Sequence, residues 1–236
     1  MLVKIKIYVI IALIIAFTSC DTKKKPSYSS DTSIQNSVEC LSTITYGSRP
    51  ICLVEIEGMT ECSSHPIVSE LIEPMLQPIE LLFGVYIKNE EYSKIDGQDS
   101  AAIQDTTLFN EYYKVHGLET AKSLEVSDIV LDQYADLIKN ALTSNYQVKD
   151  MLEDVGLDVP VHIETYSPHE RIRSIVFCWK DATSSSFVVA SGLEANNRLV
   201  SISYNKEYYN DYDISKAISD AKSMSDKFTL DFILAN

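Results

Sequence analysis

FVVASGLEANNRLVSISY, residues 187–204, is the stretch that decides the fold. Two apolar segments flank Asn196 and Asn197, and asparagine tolerates the positive φ angles that tight hairpin turns require. In the second segment Val200 and Ile202 alternate with serines, which is the two-residue period of a strand with one buried face. The stretch therefore predicts an antiparallel β-hairpin.

Apolar runs bounded by glycine, proline and polar residues predict the other strands of the same sheet. The predicted strands are 51–56, 81–88, 109–118, 161–166 and 171–179. Proline residues limit 67–76 to a short helix, and residues 96–107 read as a polar loop. Helical spacing predicts a helix that starts at 127–128 and runs to 142, and a short one at 149–155. The strands lie between widely separated helices, an order typical of α+β proteins.

The last helix has a clear start and a clear buried face. Asp213 is a good N-cap residue, and Phe228 and Phe232 fall on one apolar stripe of the residues that follow. About 22 helical residues span ~33 Å, which is long enough to cover a sheet. The sequence therefore predicts an α+β fold, with an antiparallel sheet of six or seven strands covered by two main helices.

This order of elements, which closes on a C-terminal helix, resembles the Mog1/PsbP-like group of single-sheet domains. The resemblance implies a binding or assembly module, because most members of that group are not enzymes. It concerns residues 38–236, which are predicted to form a single α+β domain.

The N-terminus has the pattern of an export signal. Lys4 and Lys6 precede the apolar run 7–17, which is too short to span a membrane as a helix and suits the h-region of a signal peptide. The FTSC run at 17–20 resembles the lipobox of bacterial lipoproteins. That resemblance implies removal of residues 1–19 and attachment of lipid to Cys20. The alternative is an ordinary secretory signal that is cleaved elsewhere.

Residues 20–37 are polar, rich in serine and lysine, and predict a lipid-anchored flexible tether. Two or three acyl chains hold a protein stably on a membrane, whereas one gives only marginal binding. The predicted location is therefore the cell envelope, with the chain anchored to a bacterial membrane and facing the periplasm or the cell surface.

The chain is acidic, with 34 Asp and Glu against 20 Lys and Arg and a net charge of −14. A nucleic-acid partner is excluded, because such binding depends on basic side chains that neutralise phosphates. Residues 26–236 hold 33 acids and 15 bases, and the acids are dense from Glu90 to Asp136. The excess predicts either a basic protein partner or simply a solvated surface.

Four cysteines follow the predicted lipid site. An exported protein can oxidise them, and Cys40 is predicted to pair with either Cys52 or Cys62 as a local disulfide. Cys178 lies in a strongly apolar run and is expected to be a buried small hydrophobe.

No catalytic, phosphate-binding or cofactor-binding motif is present in the sequence, so a non-enzymatic role without cofactor is expected. His162 and His169, near Glu164 and Glu170, match no established metal-ligand spacing. Aromatic residues at the end of the hairpin predict either a binding surface or packing beneath the last helix. These residues are Tyr204, Tyr208, Tyr209 and Tyr212.

Together these features favour a lipid-anchored envelope protein that serves as a binding or assembly module. The first alternative is an immunity-type protein that neutralises a toxic effector in the periplasm, since an acidic surface suits a basic toxin. The second alternative is an envelope hydrolase.

Overall fold

The computed structural model describes residues 38–97, 109–144, 160–180, 184–209 and 213–236. Several predictions concern the remaining residues and lie outside the described part of the chain. They are the signal peptide 1–19, the lipid-bearing Cys20, the tether 20–37, most of the polar loop 96–107, the short helix 149–155 and Tyr212.

The structure is α+β, and its main sheet has seven strands in the order β3-β4-β5-β9-β8-β7-β6, with every neighbouring pair antiparallel. This confirms the predicted fold class and the antiparallel sheet. The strands are β1 Cys40–Tyr46, β2 Arg49–Val54, β3 Met59–Glu61, β4 Glu80–Lys88, β5 Glu111–Leu118, β6 His162–Tyr166, β7 Ile172–Lys180, β8 Ser184–Ala195 and β9 Arg198–Tyr209. The described α-helices are α1 Pro66–Ile72, α2 Asn89–Ile95, α3 Asp128–Ser144 and α4 Ile214–Ala235.

The hairpin of β8 and β9 forms the centre of the sheet. Asn196 and Asn197 have φ angles of 46° and 67°, so both residues of the turn adopt the left-handed conformation that this connection needs. The ladder runs from the Ala195–Arg198 pair to the Ser184–Tyr209 pair. Both strands are longer than predicted, because their serine- and tyrosine-rich ends continue the pairing beyond the apolar residues.

The first face of the sheet, which carries Val176, Ile202 and Tyr204, packs against α4 and the β1–β2 hairpin. The side chain of Asp213 caps α4 by accepting hydrogen bonds from the backbone N–H groups of residues 215 and 216. Phe228 is 2% exposed in this layer. The apolar stripe of the last helix therefore covers the sheet as its spacing predicts.

The second face, which carries Tyr112, Lys114 and Phe177, is covered by the other helices. α3 packs on the half of the sheet that contains Phe177, and α1 packs on the half that contains Tyr112. The two halves form separate apolar clusters. On this face, the buried residues that lie between the two clusters, such as Lys114 and Ser203, are polar.

Three elements differ from the sequence-based prediction. β3 and α2 carry too few apolar residues for periodicity to reveal them; α2, for example, buries only Ile95. In β1 only Ile44 and Tyr46 turn away from solvent, which is too short a pattern. β1 and β2 form a two-stranded sheet of their own. The predicted strand 51–56 begins earlier, at Arg49, and ends at Val54.

Candidate functional site

The described helices on the two faces of the sheet differ sharply in charge. α1 with the 3-10 turn that follows it, α2 and α3 contain seven acidic residues and only two lysines, Lys94 and Lys139. We call these seven residues the acidic face. They are Glu70, Glu73, Glu90, Glu91, Asp128, Asp132 and Asp136.

Solvent reaches almost all of the acidic face. Six of its residues are exposed, and the seventh, Glu91, is half-buried and pairs with Lys94 at 2.8 Å. Asp132 pairs with Arg173 at 2.5 Å. By contrast, α4 on the opposite face carries three lysines and three aspartates. The excess negative charge of the described helices therefore lies on one side of the sheet.

Beneath these helices, between the two apolar clusters, lies a buried cluster of three titratable side chains. The carboxylate of Glu80 lies 3.3 Å from Lys114 Nζ and 3.3 Å from His116 Nε2. The side chains of Glu80, Lys114 and His116 are 3%, 7% and 8% exposed. β4 and β5 bring them together, because antiparallel pairing places the start of β4 beside the end of β5.

Burial controls the charge of this cluster. It lowers the pKa of His116 to about 3, with the positive charge of Lys114 as the second cause, so the imidazole is neutral at pH 7. It also lowers the pKa of Lys114. Burial alone would raise the pKa of Glu80, but the neighbouring His116 and Lys114 outweigh that effect and lower it. The Glu80 carboxylate therefore stays charged at pH 7, and Lys114 donates hydrogen bonds to it.

The two ring nitrogens of His116 have different surroundings. Nε2 faces the Glu80 carboxylate, whose oxygens can only accept hydrogen bonds when ionised. Nδ1 is buried and has no hydrogen-bond partner among the described residues. Tyr134 of α3 lies above the neighbouring strand and hydrogen-bonds Ser201. Because solvent hardly reaches the cluster, its arrangement supports a role in holding the sheet together rather than in contacting a macromolecular partner.

The sequence did not reveal this cluster. Lys114 and His116 alternate with Tyr113 and Val115 on β5, which by periodicity looks like one buried and one solvated face. The whole strand is buried, because helices cover both faces of the sheet. One feature of the sequence could have indicated the burial of Lys114 and His116. The neighbouring strand β9 places small serines, such as Ser201, opposite these long side chains.

Two of the four tyrosines considered as a binding surface are buried, so those two are not available to a partner. Tyr204 is fully buried, and its hydroxyl donates to Glu111 Oε1 at 2.9 Å. Tyr208 is 8% exposed and packs edge-on against Phe187. Tyr209 is the last residue of β9, and Tyr212 lies outside the described residues. The first two pack within the core that α4 covers, as the alternative interpretation of the sequence holds.

The cysteines are divided between a disulfide and the core. Cys40 and Cys52 form a disulfide that joins β1 to β2, which is one of the two local pairings considered. Cys62, the other candidate partner, is a free buried thiol, and burial raises its pKa to about 12. Cys178 is a free buried thiol, and burial raises its pKa to about 11.

His162, on the edge strand β6, belongs to a network that connects β6 to α4. His162 Nε2 lies 3.5 Å from Glu164, which accepts a hydrogen bond from Lys222 at 2.8 Å. Tyr166 donates to Asp226 at 2.9 Å. His169 lies outside this network, and its Nδ1 accepts a hydrogen bond from the backbone N–H of residue 171. Within the described residues, no group of three His, Cys, Asp or Glu could hold a metal ion.

An open cavity of about 480 Å³ lies along α4. Hydroxyl groups and one ion-paired lysine dominate its lining. The lining residues are Ser215, Ile218, Ser219, Lys222, Ser223 and Asp226.

No protein-family model, curated protein or solved structure matches the chain. Within the part of the chain that the structure describes, none of the helices combines the length and apolar character needed to cross a membrane.

Proposed function

We propose that the chain is a lipid-anchored protein of the bacterial cell envelope that acts as a non-enzymatic binding module for a basic protein. The observation that carries the binding role is the acidic face: seven acids and two lysines on the helices of one side, against a balanced α4 on the other. The lipobox-like run that ends at Cys20 supports the anchor.

The disulfide supports export. Disulfides persist in oxidising compartments such as the periplasm and are rare in the cytosol. The bond between Cys40 and Cys52 begins 20 residues after the proposed lipid site, at the start of the described residues. A tether of this kind would present the folded part of the chain some distance from the membrane surface.

Counting free thiols tests the lipid anchor and the compartment together. The chain has five cysteines. After denaturation without reductant, protein from the envelope should bind two equivalents of a maleimide, at Cys62 and Cys178, and four equivalents after reduction. A third equivalent without reductant would show that Cys20 carries no lipid. Four or more would show that the disulfide is absent and argue against an oxidising compartment.

Charge reversal on the acidic face tests the binding role. Replacing Glu70, Asp132 and Asp136 with Lys changes three exposed acids that lie beyond the first turns of their helices. At low salt, the wild-type chain should recover a basic protein from envelope extracts, and 0.5 M salt should release it, because the Debye length falls from ~10 Å at 0.1 M to ~3 Å at 1 M. The triple variant should not recover that protein.

A matched variant separates local recognition from net charge. Replacing Glu55, Glu57 and Asp220 with Lys makes the same change in charge away from the acidic face, and it likewise breaks one exposed ion pair, that of Glu57 with Lys227. This control should still recover the basic protein. If both triple variants lose it equally, only net charge matters; if neither loses it, the acidic face is a solvated surface.

The immunity-type alternative is a narrower form of the same proposal, in which the basic partner is a toxin. It predicts that expression of the chain protects cells from the captured protein, and that the triple variant of the acidic face does not. A partner without toxicity would favour the broader assembly role.

A further inference from the structure

The centre of the second face carries polar side chains, although both flanks of that face are apolar. On β5 and β9 these residues lie directly opposite one another, with Lys114 beside Ser203 and His116 beside Ser201. All of them are buried. We call this group the polar seam, and its members are Lys114, His116, Ser201, Ser203 and Asn205.

Helices flank the polar seam on both sides. The side chains that α1 and the 3-10 turn after it bury are apolar. From α3, Tyr134 hydrogen-bonds Ser201 of the seam. Among the described residues, the titratable groups around His116 are therefore Glu80 of β4, Lys114 of β5 and Tyr134 of α3.

The charges of these groups do not balance. They include two bases, Lys114 and His116, but only one acid, Glu80. Tyr134 is neutral, because burial raises its pKa to about 12. A buried charge is stable only when it is paired, so one carboxylate supports one cation, and the imidazole is neutral at pH 7. A second buried anion would allow both bases to be charged.

Both bases also have hydrogen-bond donors for a further acceptor. Lys114 has three N–H groups, and the two Glu80 oxygens that it contacts lie 3.4 and 3.3 Å from Nζ. Nε2 of His116 faces Glu80, whereas Nδ1 is buried and has no hydrogen-bond partner among the described residues. A protonated imidazole donates from both nitrogens.

We propose that the polar seam binds a small monocarboxylate, whose single negative charge supplies the anion that the two bases lack. The carboxylate accepts hydrogen bonds from Lys114 Nζ and from Nδ1 of His116, which takes a proton from the solvent when the ligand binds. A dianion such as sulfate would leave one buried negative charge unpaired, so the seam discriminates against it. Because solvent hardly reaches these residues, the ligand is of the size of acetate.

The proton gives this binding a characteristic pH dependence. In the free chain His116 is neutral from pH 6 to pH 7.5, because burial and the charge of Lys114 lower its pKa to about 3. Each bound carboxylate brings one proton, so the apparent Kd should fall roughly tenfold for each pH unit of acidification. A carboxylate held by an exposed lysine would show no such dependence.

Nuclear magnetic resonance of the isotope-labelled full-length chain in detergent micelles tests the proposal. Sodium acetate is the probe, and sodium chloride at the same ionic strength is the reference. Acetate should produce a saturable change in which the ring nitrogens of His116 pass from the neutral to the imidazolium pattern, and chloride should not. Its apparent Kd should fall roughly tenfold from pH 7 to pH 6. Connecting the ring signals to those of the backbone identifies His116 without any variant.

Lys114→Met and His116→Gln each remove one base of the seam. Either variant should lose roughly tenfold in affinity for acetate at pH 6, because a hydrogen bond to a charged group is removed. Lys222→Met and His162→Gln are the matched controls, since both residues pair with Glu164 outside the seam. They should leave acetate binding unchanged.

Four results would overturn the proposal. They are an acetate effect no larger than that of chloride, acetate binding that leaves His116 neutral, sulfate binding as tight as that of acetate, and control variants that weaken binding as much as the seam variants do.

Discussion

Acid should destabilise this protein through His116. Burial lowers its pKa to about 3 in the folded chain, whereas an unfolded histidine has a pKa near 6.5. Between these values the unfolded chain binds a proton that the folded chain does not, so the free energy of unfolding falls as the pH falls. Each pH unit costs up to ~1.4 kcal/mol, and at pH 5 the loss from this one group is ~2 kcal/mol relative to pH 7.5.

The pH range is chosen to isolate His116 from its neighbours. The pKa of Glu80 is also lowered, so its own contribution to stability is lost only below its ordinary value near 4.5. Burial lowers the pKa of Lys114 below 10.5, so its contribution to stability rises as the pH rises. Urea unfolding at intervals from pH 5 to pH 7.5, compared with a variant that lacks the imidazole, separates His116 from Lys114.

The assay compares the wild-type chain with His116→Gln and with His162→Gln. The variant at the buried site should be less stable at pH 7.5, because it disturbs the cluster, but it should lose ~2 kcal/mol less than wild type when the pH falls to 5. His162→Gln, which removes a half-exposed histidine of β6, is the control for the substitution itself. Equal slopes for wild type and His116→Gln would refute the reasoning, because His116 would then titrate alike in the folded and unfolded chains.

Three further predictions concern packing and the hairpin. Phe228→Ala should lower the free energy of unfolding by ~3–5 kcal/mol, because the ring is 2% exposed and contacts two tyrosine rings; an unchanged melting temperature would contradict this burial. Cys40→Ser should cost ~2–3 kcal/mol, the value for a disulfide that closes a short loop, and reductant should then have no further effect on the melting temperature. Gly192→Ala should destabilise the chain, because the added Cβ would lie 2.5 Å from the ring of Tyr134, and Tyr134→Ala in the same chain should recover part of the loss.

The sequence predicts best those elements whose pattern is local. Asn196 and Asn197 indicate the central hairpin because the turn itself requires residues that tolerate positive φ. Asp213 and the apolar stripe indicate α4 in the same way. The burial of Tyr204 could also have been predicted, since it shares the alternation of Val200 and Ile202 on β9.

The buried cluster depends on contacts that no local pattern records. A lysine and a histidine that alternate with apolar residues on β5 look like a solvated face unless the second layer of helices is known. α1 and α2, which complete that layer, are short and belong to distant parts of the chain. Likewise, the two-residue period of β1 is too short to predict a strand, because its first four residues are exposed and only Ile44 and Tyr46 turn away from solvent.

For the export proposed above, the position of the disulfide also determines the order in which the chain can assemble. Only 12 residues separate Cys40 from Cys52, so closing this loop costs little entropy, and the pair leaves a translocation channel long before Cys178. The bond can form while most of the chain is still inside the cell. Yet the backbone of Cys52 is completed by Asn236, 184 residues later. The disulfide can therefore form early, but the backbone of Cys52 is covered only after the final helix has formed. In the proposed export, a chain that stalls before that helix keeps its hairpin exposed to envelope proteases.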